Sequence, residues 1–108
     1  MEILKSITKS KKSIVNALNS TEGLKDHVGE EIVIDELIKM KKDDDRVVLV
    51  LHDKKTDAYL NTISPTILDG IDAIFTSYSE DEIAEGVAIM VMTKKSQKGR
   101  EFLYIDLL

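Results

Sequence analysis

The sequence predicts a mainly β protein with helices, an α+β domain. Three observations carry this. Apolar runs with β-branched residues recur at residues 30–42, 46–51 and 58–62, separated by charged turns. A single strongly amphipathic helix pattern starts at Ser64-Pro65. The last stretch, VAIMVMTKKSQKGREFLYIDLL, reads as a β-hairpin: an apolar run, a basic turn and an alternating run.

Taken in order, residues 1–19 are basic and partly amphipathic. Leu4 and Ile7, then Ile14, Val15 and Leu18, fit a helical face in two pieces, and Thr8 or Ser10 is placed to cap a short helix running to about Asn19. Residues 20–29 (STEGLKDHVG) read as a loop broken by Gly23 and Gly29. Residues 1–28 are thus expected to form an N-terminal helical arm and loop, and residues 29–108 the body of a single domain.

Residues 30–42 form the first strand of that body. Ile32, Ile34, Ile38 and Met40 share one face, and Glu36 interrupts it, which points to a bend or bulge. A helical stripe of Ile34, Leu37, Ile38 and Lys41 competes with this reading; the β-branched start, Ile32-Val33-Ile34, favours the strand. Residues 46–51 are almost wholly aliphatic and read as a central strand. After the DKKTD turn, Ala58, Leu60 and Thr62 take one face of a third strand, with Tyr59 and Asn61 on the other.

Ser64 is placed as an N-cap and Pro65 as the first helical residue. Ile67, Leu68, Ile71, Ile74 and Phe75 then recur at helical spacing, and Tyr78 extends the stripe. Gly70 weakens this helix by about 1 kcal/mol relative to Ala, or permits a close approach to a strand. Residues 79–85 read as an acidic loop. In the closing hairpin Gly99 supplies any positive φ the turn needs. Leu103, Ile105 and Leu107 point one way, and Phe102, Tyr104 and Asp106 the other.

Three meandering strands, a helix and a closing hairpin is the order of an OB-fold, a small five-stranded Greek-key barrel, with the helix between strands three and four plugging its bottom. An open antiparallel α+β sheet of the same order is the structural alternative.

A chain of 108 residues suits one domain, and its 43% hydrophobic and 32% charged content suits a globular protein. No apolar window is long enough for a membrane helix, and no apolar signal core opens the chain, so no membrane association or secretion is expected. The absence of cysteine removes disulfides, thiol nucleophiles and cysteine-ligated metals. His27 and His52 lack metal-ligand spacing. The triple Asp43-Asp44-Asp45 reads as a solvated turn rather than a Mg²⁺ site. No glycine loop or nucleophile motif is present, so the expectation is a non-enzymatic protein without a cofactor.

Net charge is −5, yet the charges segregate, with bases at residues 9–12 and 94–100. Local potential steers a polyanion more than the total does. Single-stranded nucleic acid needs a cationic groove and aromatic faces on which bases stack. The candidate residues are Arg46, Lys54, Lys55, Tyr59, Lys94, Lys95, Lys98, Arg100, Phe102 and Tyr104. Lys41 and Lys42 flank the first strand-to-strand loop. The competing reading is an acidic protein-interaction module that modulates an enzyme.

The segments ILKSITKSKKSIVNAL, VGEEIVIDELI, LNTISPTILDGIDAIF and MTKKSQKGREFLYIDLL make the chain resemble a group of small bacteriophage early proteins described as single-stranded DNA-binding or replication-associated. The resemblance implies an OB-like barrel that binds single-stranded DNA with low sequence specificity in the cytoplasm of an infected bacterium. Lys94, Lys95, Lys98, Arg100 and Phe102 match by position. It further implies replication or recombination proteins as partners, and a homodimer as an open possibility.

Overall fold

A computed structural model describes residues 1–108. The elements are β1 (Glu2–Ile7), α1 (Lys11–Leu18), β2 (Glu22–Gly23), a 3₁₀ turn (Leu24–His27), β3 (Glu31–Lys41), β4 (Val47–Asp53), β5 (Ala58–Thr62), α2 (Pro65–Ser77), α3 (Glu80–Glu85), β6 (Val87–Lys95) and β7 (Glu101–Leu107). The fold is mixed α+β, with a sheet curled into a half-barrel. The strands form one seven-stranded sheet in the order β2-β5-β4-β3-β6-β7, with β1 alongside β3. No pairing joins the two ends of that order. No helix is long and apolar enough to cross a membrane.

β3 is the hub. One of its edges pairs with β4 along most of its length. The other edge is shared: residues 31–34 pair with β6, and residues 37–41 pair with β1. The register against β4 shifts between Ile34 and Glu36, the bulge the sequence pointed to. An extra residue reverses the inward–outward phase of everything after it. Ile32 and Ile34 face the main core before the bulge and Leu37 after it, while Ile38 and Met40 turn to the opposite face. The expectation that Ile32, Ile34, Ile38 and Met40 share one face fails for this reason.

Two cores follow. The larger lies inside the curl, where Leu49, Leu51, Leu60, Val87, Ile89 and Val91 meet Ile67, Ile71 and Ile74 of α2 and Ile83 of α3. The smaller lies outside it, where Ala17 of α1 packs on Ile38, Met40 and Val50. α2 begins as the sequence indicates: the Ser64 hydroxyl accepts from the Ile67 N–H, with Pro65 just after the cap. Gly70 is where α2 meets β7, since a Cβ there would lie 2.9 Å from Cγ1 of Ile105. Gly99, at φ 79°, turns the β6–β7 hairpin.

Three local expectations are corrected. Residues 2–7 are a strand rather than the first piece of a helix, because the free edge of β3 beyond its bulge offers a ladder; α1 does start at the Ser10 cap. Residues 22–27 carry a two-residue parallel strand and a 3₁₀ turn that buries Leu24 completely. Residues 79–85 are not a loop. Ser79 and Glu82 form a reciprocal capping box, and Ile83 anchors the short helix α3 in the main core.

Gly86 ends α3 at φ 123°, and a Cβ on it would lie 2.8 Å from Cγ1 of Val33. Backbone strain and overlap add there. Gly86→Ala is expected to lower stability by about 2–3 kcal/mol in urea melts. A loss below about 0.5 kcal/mol would mean that this junction is not packed as described.

Candidate functional site

The β6–β7 hairpin projects its basic tip from the sheet. Lys94 pairs across the ladder with Phe102, Met92 with Tyr104, and Lys95 with Glu101. Lys94, Lys95, Lys98 and Arg100 are exposed, and none of them makes an ion pair. Alternation along β7 sends Leu103 and Ile105 against the main core. Phe102 and Tyr104 take the other face; both are half-buried and belong to neither core cluster.

Arg46 joins this neighbourhood. It lines a groove of about 430 Å³ with Lys25, Asn61, Ser64 and Leu103, between the end of β5 and the unpaired side of β7. The remaining candidates lie elsewhere. Lys54 donates through Nζ to the Glu85 carbonyl at 3.1 Å. Lys55 lines a separate groove of about 480 Å³ that holds Glu22, Glu30, Glu31 and Asp53 around His27. Tyr59 packs against the outer core under α1, with its ring 4.5 Å from that of His52. The ten candidate residues therefore divide: six lie on the β6–β7 hairpin, Arg46 reaches β7 only at Leu103 and pairs with Asp44 at 3.5 Å, and Lys54, Lys55 and Tyr59 do not join them.

A second cluster is charged and buried. Asp35, Glu36 and His52 are 2%, 4% and 8% exposed. Neighbouring residues of a regular strand point to opposite faces, and the bulge is what lets both carboxylates turn to His52. His52 Nδ1 donates to Asp35 Oδ1 at 2.6 Å and lies 3.4 Å from Glu36 Oε2. His52 Nε2 donates to Asp57 Oδ1 at 2.6 Å. Lys9 closes the cluster from the β1–α1 connection: Nζ donates to Asp35 Oδ2 at 2.7 Å, and its backbone N–H to Glu36 Oε1 at 2.8 Å.

A ring that donates from both nitrogens to carboxylates is an imidazolium. Burial works against that charge, but the hydrogen bonds to Asp35 and Asp57 and the charges of Asp35 and Glu36 outweigh it and hold His52 above its ordinary value of 6.5. Burial would likewise raise the Asp35 carboxyl, and the hydrogen bonds from Lys9 and His52 outweigh it and hold it below 3.8. The hydrogen bond to Asp35 raises the Lys9 ammonium, against the smaller opposing effect of burial. Asp35, Glu36 and His52 each offer a potential metal-ligand atom, all within 4.8 Å of one another.

The sequence reading missed this cluster because its members are far apart in the chain and His52 stands alone on an aliphatic strand. The signal present was Asp35-Glu36 inside the apolar run IVIDELI: two consecutive acids within a buried strand require partners. No protein-family model, curated protein or solved structure matches the chain.

The cluster imposes a pH profile on stability. His52 has a raised value in the folded state, so its contribution is fully present below about pH 6.5 and fades as pH rises through the raised value. Asp35 has a lowered value, so its contribution is present above about pH 3.8 and fades as pH falls through the lowered value. In chelator-containing buffer, the gap in urea midpoint between wild type and His52→Gln is expected to be widest below pH 6.5 and to narrow as pH rises through the raised value. A gap that stays constant with pH would show that His52 is not held as an imidazolium.

Proposed function

We propose that the protein binds single-stranded DNA with little sequence preference, along the outer side of the β6–β7 hairpin and into the groove beside Arg46. The observation that carries this is the group of four exposed, unpaired cations, Lys94, Lys95, Lys98 and Arg100, set directly before the half-exposed rings of Phe102 and Tyr104 in an acidic protein. Cations track the phosphates and rings stack the bases, and neither reads base edges, so selectivity is low.

We read the curled sheet as an OB-like barrel left open between β5 and β7. The β3-β4-β5 meander, the intervening α2 and a β6–β7 hairpin that returns to β3 support this reading. OB-folds carry oligonucleotides across strands two and three, here the outer face of β4 and β5. α1 covers part of that face and packs against Tyr59. The proposed track is therefore displaced toward β7 and the open seam.

One observation favours a second reading. The groove lined by Glu22, Glu30, Glu31 and Asp53 gathers acids on a face distinct from the hairpin, which suits a basic protein partner.

Fluorescence anisotropy with labelled oligo-dT separates the two. Four phosphate contacts give a log–log salt slope near −3, at roughly −0.7 per contact. Replacing Lys94, Lys95, Lys98 and Arg100 together by Gln is expected to flatten the slope and weaken binding at least tenfold, with an unchanged far-UV circular dichroism spectrum. Phe102→Ala is expected to cost about 1–3 kcal/mol of binding. Absence of binding at low salt, or full affinity in the folded quadruple variant, would give the acidic-groove reading first place.

A further inference from the structure

We propose that Asp35, Glu36 and His52 form a divalent-cation site of the zinc class, with Asp57 as its outer support. This inference does not depend on nucleic-acid binding. It rests on four features of the buried cluster.

The first is convergence. A strand bulge places two consecutive carboxylates on one imidazole nitrogen, and all three side chains are at least nine-tenths buried. The second is an excess of acceptors. His52 Nδ1 has one proton, which goes to Asp35, yet Glu36 Oε2 is aimed at the same nitrogen at 3.4 Å.

The third feature is spacing and charge. Ligands about 2.0–2.1 Å from a tetrahedral zinc stand roughly 3.3 Å apart. The 2.6 and 3.4 Å separations at Nδ1 bracket that figure, and the three ligand atoms all lie within 4.8 Å of one another. Asp35, Glu36 and Asp57 face only two cations, His52 and Lys9, which leaves the cluster net negative. Exchanging the Nδ1 proton, released to solvent, for a divalent cation brings it to neutrality. The Lys9 side chain is half-exposed, so it can keep its bond to Asp35 Oδ2 or swing into water.

The fourth is the outer support. Metal-binding imidazoles almost always donate their other N–H to a carboxylate or carbonyl, which fixes the tautomer and ring orientation. Nε2 of His52 makes that bond to Asp57 at 2.6 Å. One nitrogen and two carboxylates, with no thiolate, suit Zn²⁺ and Co²⁺ better than the all-oxygen sites of Mg²⁺ or Ca²⁺. The bound ion would tie β3, β4 and the β4–β5 turn together.

The test uses the full chain stripped with chelator. Zn²⁺ is titrated by calorimetry, and Co²⁺ serves as a probe whose visible absorption reports coordination directly. One ion per chain is expected, with a rise in melting temperature on Zn²⁺ addition. Glu36→Gln is expected to weaken binding at least tenfold. Asp57→Asn is expected to weaken it by 10–100-fold. Asp57 is 89% exposed and sits at φ 60°, a conformation Asn tolerates, so that variant remains a fair test if Glu36→Gln fails to fold. His27→Gln, in the other acidic groove, is expected to change nothing. No saturable binding, or equal affinity in wild type and Asp57→Asn, would reduce the cluster to a structural ion-pair network and overturn the proposal.

Discussion

One extra residue in β3 governs the structure. Without the shift between Ile34 and Glu36, an eleven-residue strand would present one apolar face to one core. With it, the same strand feeds Ile32, Ile34 and Leu37 to the inside of the curl and Ile38 and Met40 to the outside. Bulged strands also bend and twist more, and a bent hub suits an edge shared between β6 and β1. The cost is two carboxylates taken out of water. Lys9, His52 and, through the ring, Asp57 offset it, and they come from the β1–α1 connection, β4 and the turn after it. The charge network therefore fastens to the bulge the segments that must close around it. Removing one partner would strand the others unpaired, the condition in which buried charges are most destabilising.

The same geometry sets which surfaces remain free. Turning Ile38 and Met40 outward creates a second apolar patch, and α1 exists to cover it, its Ser10 cap adding about 1 kcal/mol to an otherwise marginal two-turn helix. That cover occupies part of the outer face of β4 and β5. At the other end of the sheet α2 covers one face of the hairpin and leaves its tip exposed. Lys94 and Lys95 stand at the end of the β6–β7 ladder, Lys98 and Arg100 in the turn beyond it, and β7 keeps one edge without a strand. The proposed binding surface and the scaffold are thus separated along the chain: the bulge and its charge network sit in the sheet's interior, and the hairpin tip stays exposed.

Much of the fold was legible because local and global preferences agreed. The strands over residues 30–42, 46–51 and 58–62, the Ser64-Pro65 helix start, the Gly99 turn and the bulge near Glu36 all follow from alternation, capping and turn chemistry. The sequence also allowed Gly70 its reason, the approach of α2 to Ile105. Residues 2–7 misled because Leu4 and Ile7 also fit helical spacing, and only a vacant edge on β3, a long-range fact, makes them a strand. Residues 79–85 misled because acidity masked the Ser79–Glu82 capping box and the single anchor Ile83. At the site, the hairpin residues were readable as a contiguous stretch. Arg46 comes near β7 only through the curl, at Leu103, and Tyr59 left the set because its face acquired a helix. The Asp35–Glu36–His52 cluster was opaque, since periodicity does not report which distant charges a bulge brings together.

The central claim is a division of labour between a charged, bulge-centred scaffold and a hairpin proposed to bind single-stranded DNA. Backbone amide NMR of the ¹⁵N-labelled protein, titrated with unlabelled oligo-dT, tests it most directly. The account predicts shifts concentrated at residues 93–104 and at Arg46, with the amides of α1 and of residues 35–36 and 52–57 unmoved. Shifts centred on α1 and Tyr59, or on the groove around His27, would contradict it.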